Sequence, residues 1–95
     1  MTNKETRRKK QNNRENFSDG IYSLILHNDD IHSFDYVIKA LIEECAHQFE
    51  QAVQCALITH YKGSCDVRKG SYTYVEKMKD ALILKNLSVT INSQP

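Results

Sequence analysis

Between Tyr22 and Tyr36 the chain reads YSLILHNDDIHSFDY, and its hydrophobic period changes within those few residues. Tyr22, Leu24 and Leu26 alternate with Ser23, Ile25 and His27, which is the pattern of a strand with one clearly apolar face. Asn28-Asp29-Asp30 stops that strand, because short acceptor side chains compete for the backbone and favour turns. From Phe34 the spacing is helical: Phe34, Val37, Ile38, Leu41, Ile42 and Cys45 recur at one helix face. Ser33 is the expected N-cap, and Asp35 in the first turn suits the helix dipole.

Helical and strand spacings alternate again beyond Cys45. Phe49, Ala52, Val53, Ala56 and Leu57 mark a second helix, which Gly63 ends as a left-handed cap. Residues 64–72, SCDVRKGSY, are short and polar and are expected to form an edge strand with a kink near Gly70. Thr73-Tyr74-Val75-Glu76 has the form of a capping box and opens a third helix, with Val75, Met78, Leu82 and Ile83 inward. Leu87, Val89 and Ile91 alternate with Ser88 and Thr90 in a last strand. The expected order is β-α-α-β-α-β. This is an α+β domain: a small antiparallel three-stranded sheet covered on one face by three helices.

A chain of 95 residues makes one domain with an adequate core. No apolar run approaches the roughly 18 residues of a bilayer span, and the N-terminus lacks a signal-peptide core. Cys45, Cys55 and Cys65 are odd in number and widely spaced, which points to reduced thiols and a cytoplasmic setting. The charge is uneven. Residues 1–19 hold six Lys/Arg against three Asp/Glu and almost nothing apolar, so they read as a disordered basic tail ahead of a domain at 20–95. Arg7-Arg8-Lys9-Lys10 is a weak nucleic-acid signal, and a solvated tail is the preferred reading.

A second motif, His60-Tyr61-Lys62-Gly63, closes the second helix. If the fold joins it to the Asn28 turn, an amide, one or two carboxylates and an imidazole face a common point. Such a set suits an ammonium group. A free peptide N-terminus is a cation with three N–H donors, whereas an internal amide has one donor and no charge. Asn28 accepts through its carbonyl, Asp29 or Asp30 through carboxylate, and neutral His60 through a ring nitrogen. Competing chemistries fare worse. Cys45, His47, Cys55, His60 and Cys65 lack the ligand spacings of a zinc site, so no metal or other cofactor is expected. Adjacent carboxylates in a turn point apart, and no cysteine stands at an activating helix start, so no catalytic residue is expected. The reading is a binding protein, not an enzyme.

With these residues in view, the chain resembles the ClpS family over about residues 21–91. The family's members are adaptors that deliver N-degron substrates to a Clp-type AAA+ unfoldase-protease. The resemblance rests on the strand ending in Asn28-Asp29-Asp30, the helix with Phe34, Val37 and Ile38, the His60–Gly63 helix end and the Leu87–Ile91 strand. It implies that Asn28, Asp30 and His60 hold the ligand's amino group while Asp29 supports the loop. It also implies an apolar pocket walled by Phe34, Val37, Ala56, Thr59 and Leu87, with His32 at the rim. The chain departs from the family at three of these: Phe34 and Ala56 stand where Met is usual, and His32 where a small polar residue is. The third helix is also shorter than the family's, with Glu76 and Lys79 as candidate unfoldase contacts.

The implied partners are a Clp-type ATPase and polypeptides starting with Phe, Tyr, Trp or Leu, bound by a monomer in protein degradation, with no membrane role. The alternative is a divergent ClpS-like module with another partner, nucleic acid through the basic tail among them.

Overall fold

The computed structural model describes residues 20–94; the tail expected at residues 1–19 lies outside them. Strand β1 (Tyr22–His27) is followed by helices α1 (Phe34–Cys45) and α2 (Phe49–Lys62), strand β2 (Ser64–Gly70), helix α3 (Tyr72–Leu84) and strand β3 (Ser88–Ser93). The order is the expected β-α-α-β-α-β. β1 is the middle strand of a three-stranded sheet and pairs antiparallel with both neighbours. Its register sets Leu24 opposite Ile91 and Leu26 opposite Val89. Side chains directly opposite share a face, so these four make one apolar layer.

That layer meets the helices. Leu24, Leu26, Leu41, Val75 and Leu82 are at most 1% exposed and centre the core, with Ala40, Cys45 and Ala52 beside them. Val37, Ile38 and Met78 pack against its edge. Burial of a Leu side chain contributes roughly 1.5–3 kcal/mol, so β1, α1 and α3 together supply much of the stability. Ser23, on the strand's other face, is buried as well, since its short side chain sits level with Lys69 and Asn92 on the flanking strands.

α1 starts as its sequence implies: the Ser33 hydroxyl accepts from the Tyr36 N–H at 3.2 Å. Its end is less ordinary. Ala46 takes the left-handed conformation (φ 56°), and Arg68, from β2, donates to the carbonyls of Cys45 and Ala46, both at 2.8 Å. Those carbonyls have no partner in the helix's own ladder, and a guanidinium fork can meet two at once. α2 ends on Gly63 (φ 94°), whose N–H bonds the Thr59 carbonyl.

Several expectations need correction. The irregularity in β2 is a bulge at Val67, not a kink at Gly70: Ile25 pairs with Asp66 and Leu24 with Arg68, leaving Val67 as the extra residue. The bulge swings Val67 into the core, where it is 4% exposed. The N-cap of α3 is Ser71, whose hydroxyl accepts from the Tyr74 N–H, so the helix begins before the Thr73–Glu76 box. Ile83 is 48% exposed, on the outer side of the last turn of α3 with Leu84, and so does not join Val75 and Leu82 in the core. Ile42 and Phe49, at apolar positions of their helix patterns, are also exposed.

Candidate functional site

Two backbone facts assemble the site. β1 ends at His27, so Asn28 begins the turn at the strand's end, and α2 ends at Lys62 with His60 in its last turn. The Asn28 N–H then donates to the Gly63 carbonyl at 2.9 Å. A residue pair far apart in sequence is thereby held side by side. Among the described residues, the side chains of Asn28, Asp30 and His60 make no hydrogen bond, so their acceptors remain available to a ligand.

Asp29 is occupied differently. Its Oδ1 accepts from the backbone N–H of Ile31 and of His32, both at 2.9 Å, and its Oδ2 lies 3.0 Å from the His32 Nδ1. This carboxylate ties the turn into α1. Slight burial pushes its pKa up, but the bonds from the His32 side chain and from the His32 and Ile31 N–H groups outweigh that. The carboxyl therefore sits below the ordinary aspartate range.

A folded-state pKa below the unfolded one adds stability above about pH 4 and loses it as acid protonates the folded carboxylate. Asp29→Ala is expected to lower Tm by roughly 5–10 °C at neutral pH, from the loss of about 1–2 kcal/mol of turn hydrogen bonds. The difference from wild type should shrink between about pH 5 and 2. Thermal melts of both proteins across that range check it; a constant gap would mean the carboxylate's charge is immaterial.

Beside this turn lies a pocket of about 60 Å³. Phe34, Val37, Ala56, Thr59 and Leu87 line it, as do His32 and the acceptors Asn28 and His60. Asp29 also lines it, whereas Asp30 is exposed on the turn outside the lining. Leu26, His27 and Ser33 line it too, and the sequence reading did not single them out. Leu26 follows directly from the strand pattern, being the last apolar residue before the turn. Glu76 and Lys79 lie on α3 and do not line the pocket.

Aromatic rings govern the mouth. The Phe34 ring leans on His60 with centroids 5.2 Å apart, and at 41% exposed it belongs to the mouth, not the core. The His32 ring stacks on Tyr36 at 4.7 Å and 16°, and the Tyr36 hydroxyl donates to the Lys85 carbonyl at 2.8 Å. That bond anchors the rim to the turn that carries Leu87. The Thr59 hydroxyl donates to the Cys55 carbonyl at 2.8 Å, which satisfies the one hydroxyl buried in the wall. The site is thus an apolar recess with amide, imidazole and carboxylate groups at its lip. It can bind a group that is cationic at one end and apolar at the other. None of the described helices is long and apolar enough to cross a membrane.

Comparison with known proteins agrees with this architecture. The family model for "ATP-dependent Clp protease adaptor protein ClpS" matches residues 18–89. The ATP-dependent Clp protease adapter protein ClpS of Edwardsiella ictaluri is 44% identical over 43 residues, or 45% of this chain. The match spans 41% of that relative's length. Agrobacterium tumefaciens ClpS2, solved bound to L-phenylalaninamide, is 21% identical and superposes with a TM-score of 0.74 over 79% of this chain and 98% of that one. The likeness to that structure is one of fold. Since the family model takes in every element from β1 to the start of β3, the chain belongs to the ClpS family.

Proposed function

We propose that this pocket receives the free N-terminal residue of a polypeptide, and that the protein is a cytoplasmic, monomeric adaptor handing such N-degron substrates to a Clp-type AAA+ unfoldase-protease. One observation carries the reading. Asn28 and His60, joined through the Asn28–Gly63 backbone bond, present unengaged acceptors at the mouth of an apolar recess. An α-ammonium group sits directly beside the first side chain, so one ligand end satisfies both parts of the site.

In this reading Asn28, Asp30 and His60 accept the three N–H donors, and Asp29 keeps the turn in shape. The first side chain enters between Val37, Ala56, Thr59 and Leu87. The pocket has room for only a few water molecules while Phe34 rests on His60. Phe34 therefore rotates aside as the ligand enters and closes over it afterwards. L-phenylalaninamide, the compound bound by the Agrobacterium protein, has this chemistry: a free amine next to an apolar ring. Handover would involve residues 1–19, whose basic composition suits an acidic partner surface, and Glu76 and Lys79 on α3.

The test uses two assays on two proteins. A peptide starting with Phe should bind the full chain and a form lacking residues 1–19 with the same affinity, measured by fluorescence anisotropy. Degradation of a Phe-initiated model substrate by a Clp-type ATPase and its peptidase should require the full chain. Absence of peptide binding to either form would overturn the pocket reading. Full-rate delivery by the truncated form would overturn the role of the tail and leave the pocket standing.

A further inference from the structure

We infer that Cys55 and Cys65 form a modification site: a thiol pair that a hydroperoxide converts reversibly into an intramolecular disulfide. The two sulfurs lie 2.8 Å apart across the α2–β2 packing. A disulfide needs about 2.05 Å, so closure brings the sulfurs together by under an ångström. The inference is independent of what the other pocket binds.

The surroundings define which sulfur reacts first. Cys65 lies on edge strand β2 and is partly exposed, while Cys55 is 4% exposed. A separate groove of about 350 Å³, lined by both cysteines with Gln51, Gln54 and Ile58, gives a small solute access. Burial, followed by the neighbouring Cys65, raises the pKa of Cys55 well above the ordinary thiol range. Cys55 is thus held as a thiol while Cys65 meets the oxidant. The third cysteine stays out: Cys45, the last residue of α1, is fully buried, with its thiol pushed up to about 11 by that burial. Among the described residues no group of three or more His, Cys, Asp or Glu is disposed to hold a metal ion. A metal-bridged reading of the pair therefore has no further ligands to draw on.

The chemistry balances in two steps. The Cys65 thiolate attacks the peroxide O–O bond, giving the sulfenic acid and releasing hydroxide. The Cys55 sulfur then attacks the sulfenic sulfur, the S–O bond breaks, and the oxygen leaves as water with the Cys55 proton. Overall, two thiols and one hydrogen peroxide give one disulfide and two waters. A small thiol reverses it by exchange. The bridge would fasten α2 to β2 one residue before Ala56 and one turn before Thr59, both of which wall the other pocket.

The test treats the folded protein with a modest excess of hydrogen peroxide and then counts thiols after denaturation. Three free thiols should fall to one, with peptide mapping giving a Cys55–Cys65 bridge and the intact mass lower by two hydrogens. Tm should rise by on the order of 10 °C, since the bridge closes a short loop, and dithiothreitol should restore the starting value. Cys45→Ala should still bridge. Cys65→Ser should not, and should keep its thiols through the same treatment. Three surviving thiols in wild type, a bridge that includes Cys45, or oxidation that stops at a Cys65 sulfinic acid would each overturn the inference.

Discussion

A peptide beginning with a free Phe should lose affinity by roughly a hundredfold or more when its N-terminus is acetylated. Acetylation removes the positive charge and leaves a single N–H donor where three had been. Each charge-assisted hydrogen bond contributes about 1.5–3 kcal/mol, and about 1.4 kcal/mol corresponds to a tenfold change. The loss is larger than the deletion of any one acceptor on the protein, because an acetyl group also brings steric bulk to the mouth beside Asn28 and His60. Asp30→Ala should weaken the free peptide strongly and leave Tm unchanged, since Asp30 is exposed and makes no hydrogen bond among the described residues. Calorimetric titration of matched free and acetylated peptides is the direct check. Equal affinities would mean that the acceptor cluster does not read the terminus.

The second large effect concerns what may enter behind the amine. Wild type should bind Phe, Tyr and Trp at least as well as Leu, and Ile and Val at least tenfold more weakly. A β-branched residue carries a methyl group next to the backbone, where the Phe34 ring closes against His60. One misplaced methyl costs about 1–3 kcal/mol in a tight site, enough for that discrimination. Phe34→Ala should bring Ile and Val close to Leu. The core should barely notice, because Phe34 is a mouth residue and not among the buried cluster. Ile or Val binding wild type as well as Phe would place the gate elsewhere.

Much of this was legible in the chain. The alternation from Tyr22 to His27 and the helical spacing from Phe34 are local patterns, so β1 and α1 emerged where expected, together with the Ser33 cap. The Gly63 cap was readable because a left-handed helix end favours a residue without Cβ. The pocket wall came from the family resemblance, and the structure brings those side chains around one recess. β2 was harder. SCDVRKG lacks a clean alternation because its bulge turns two successive pairing positions around one extra residue. The start of α3 was misplaced because Ser71 and Thr73 are both competent caps, and the helix begins at the earlier of the two. Arg68 on the end of α1 and the meeting of Cys55 with Cys65 are contacts between elements, and single-chain periodicity carries no record of them.

The backbone bond from Asn28 to Gly63 has a consequence for how such a protein diversifies. In the proposed reading the two halves of the amine clamp are registered through main-chain atoms, an N–H at position 28 and a carbonyl at position 63, which every residue type but proline supplies. Lining side chains that make no bond to the turn, such as Ala56, can therefore be exchanged without moving the clamp. In that reading, substitutions at Phe34 or Ala56 would retune which first residue is welcome while the demand for a free terminus is inherited intact. Two properties that most binding sites must optimise together would then be separable, and a set of variants differing only in the recess would explore selectivity along one axis alone.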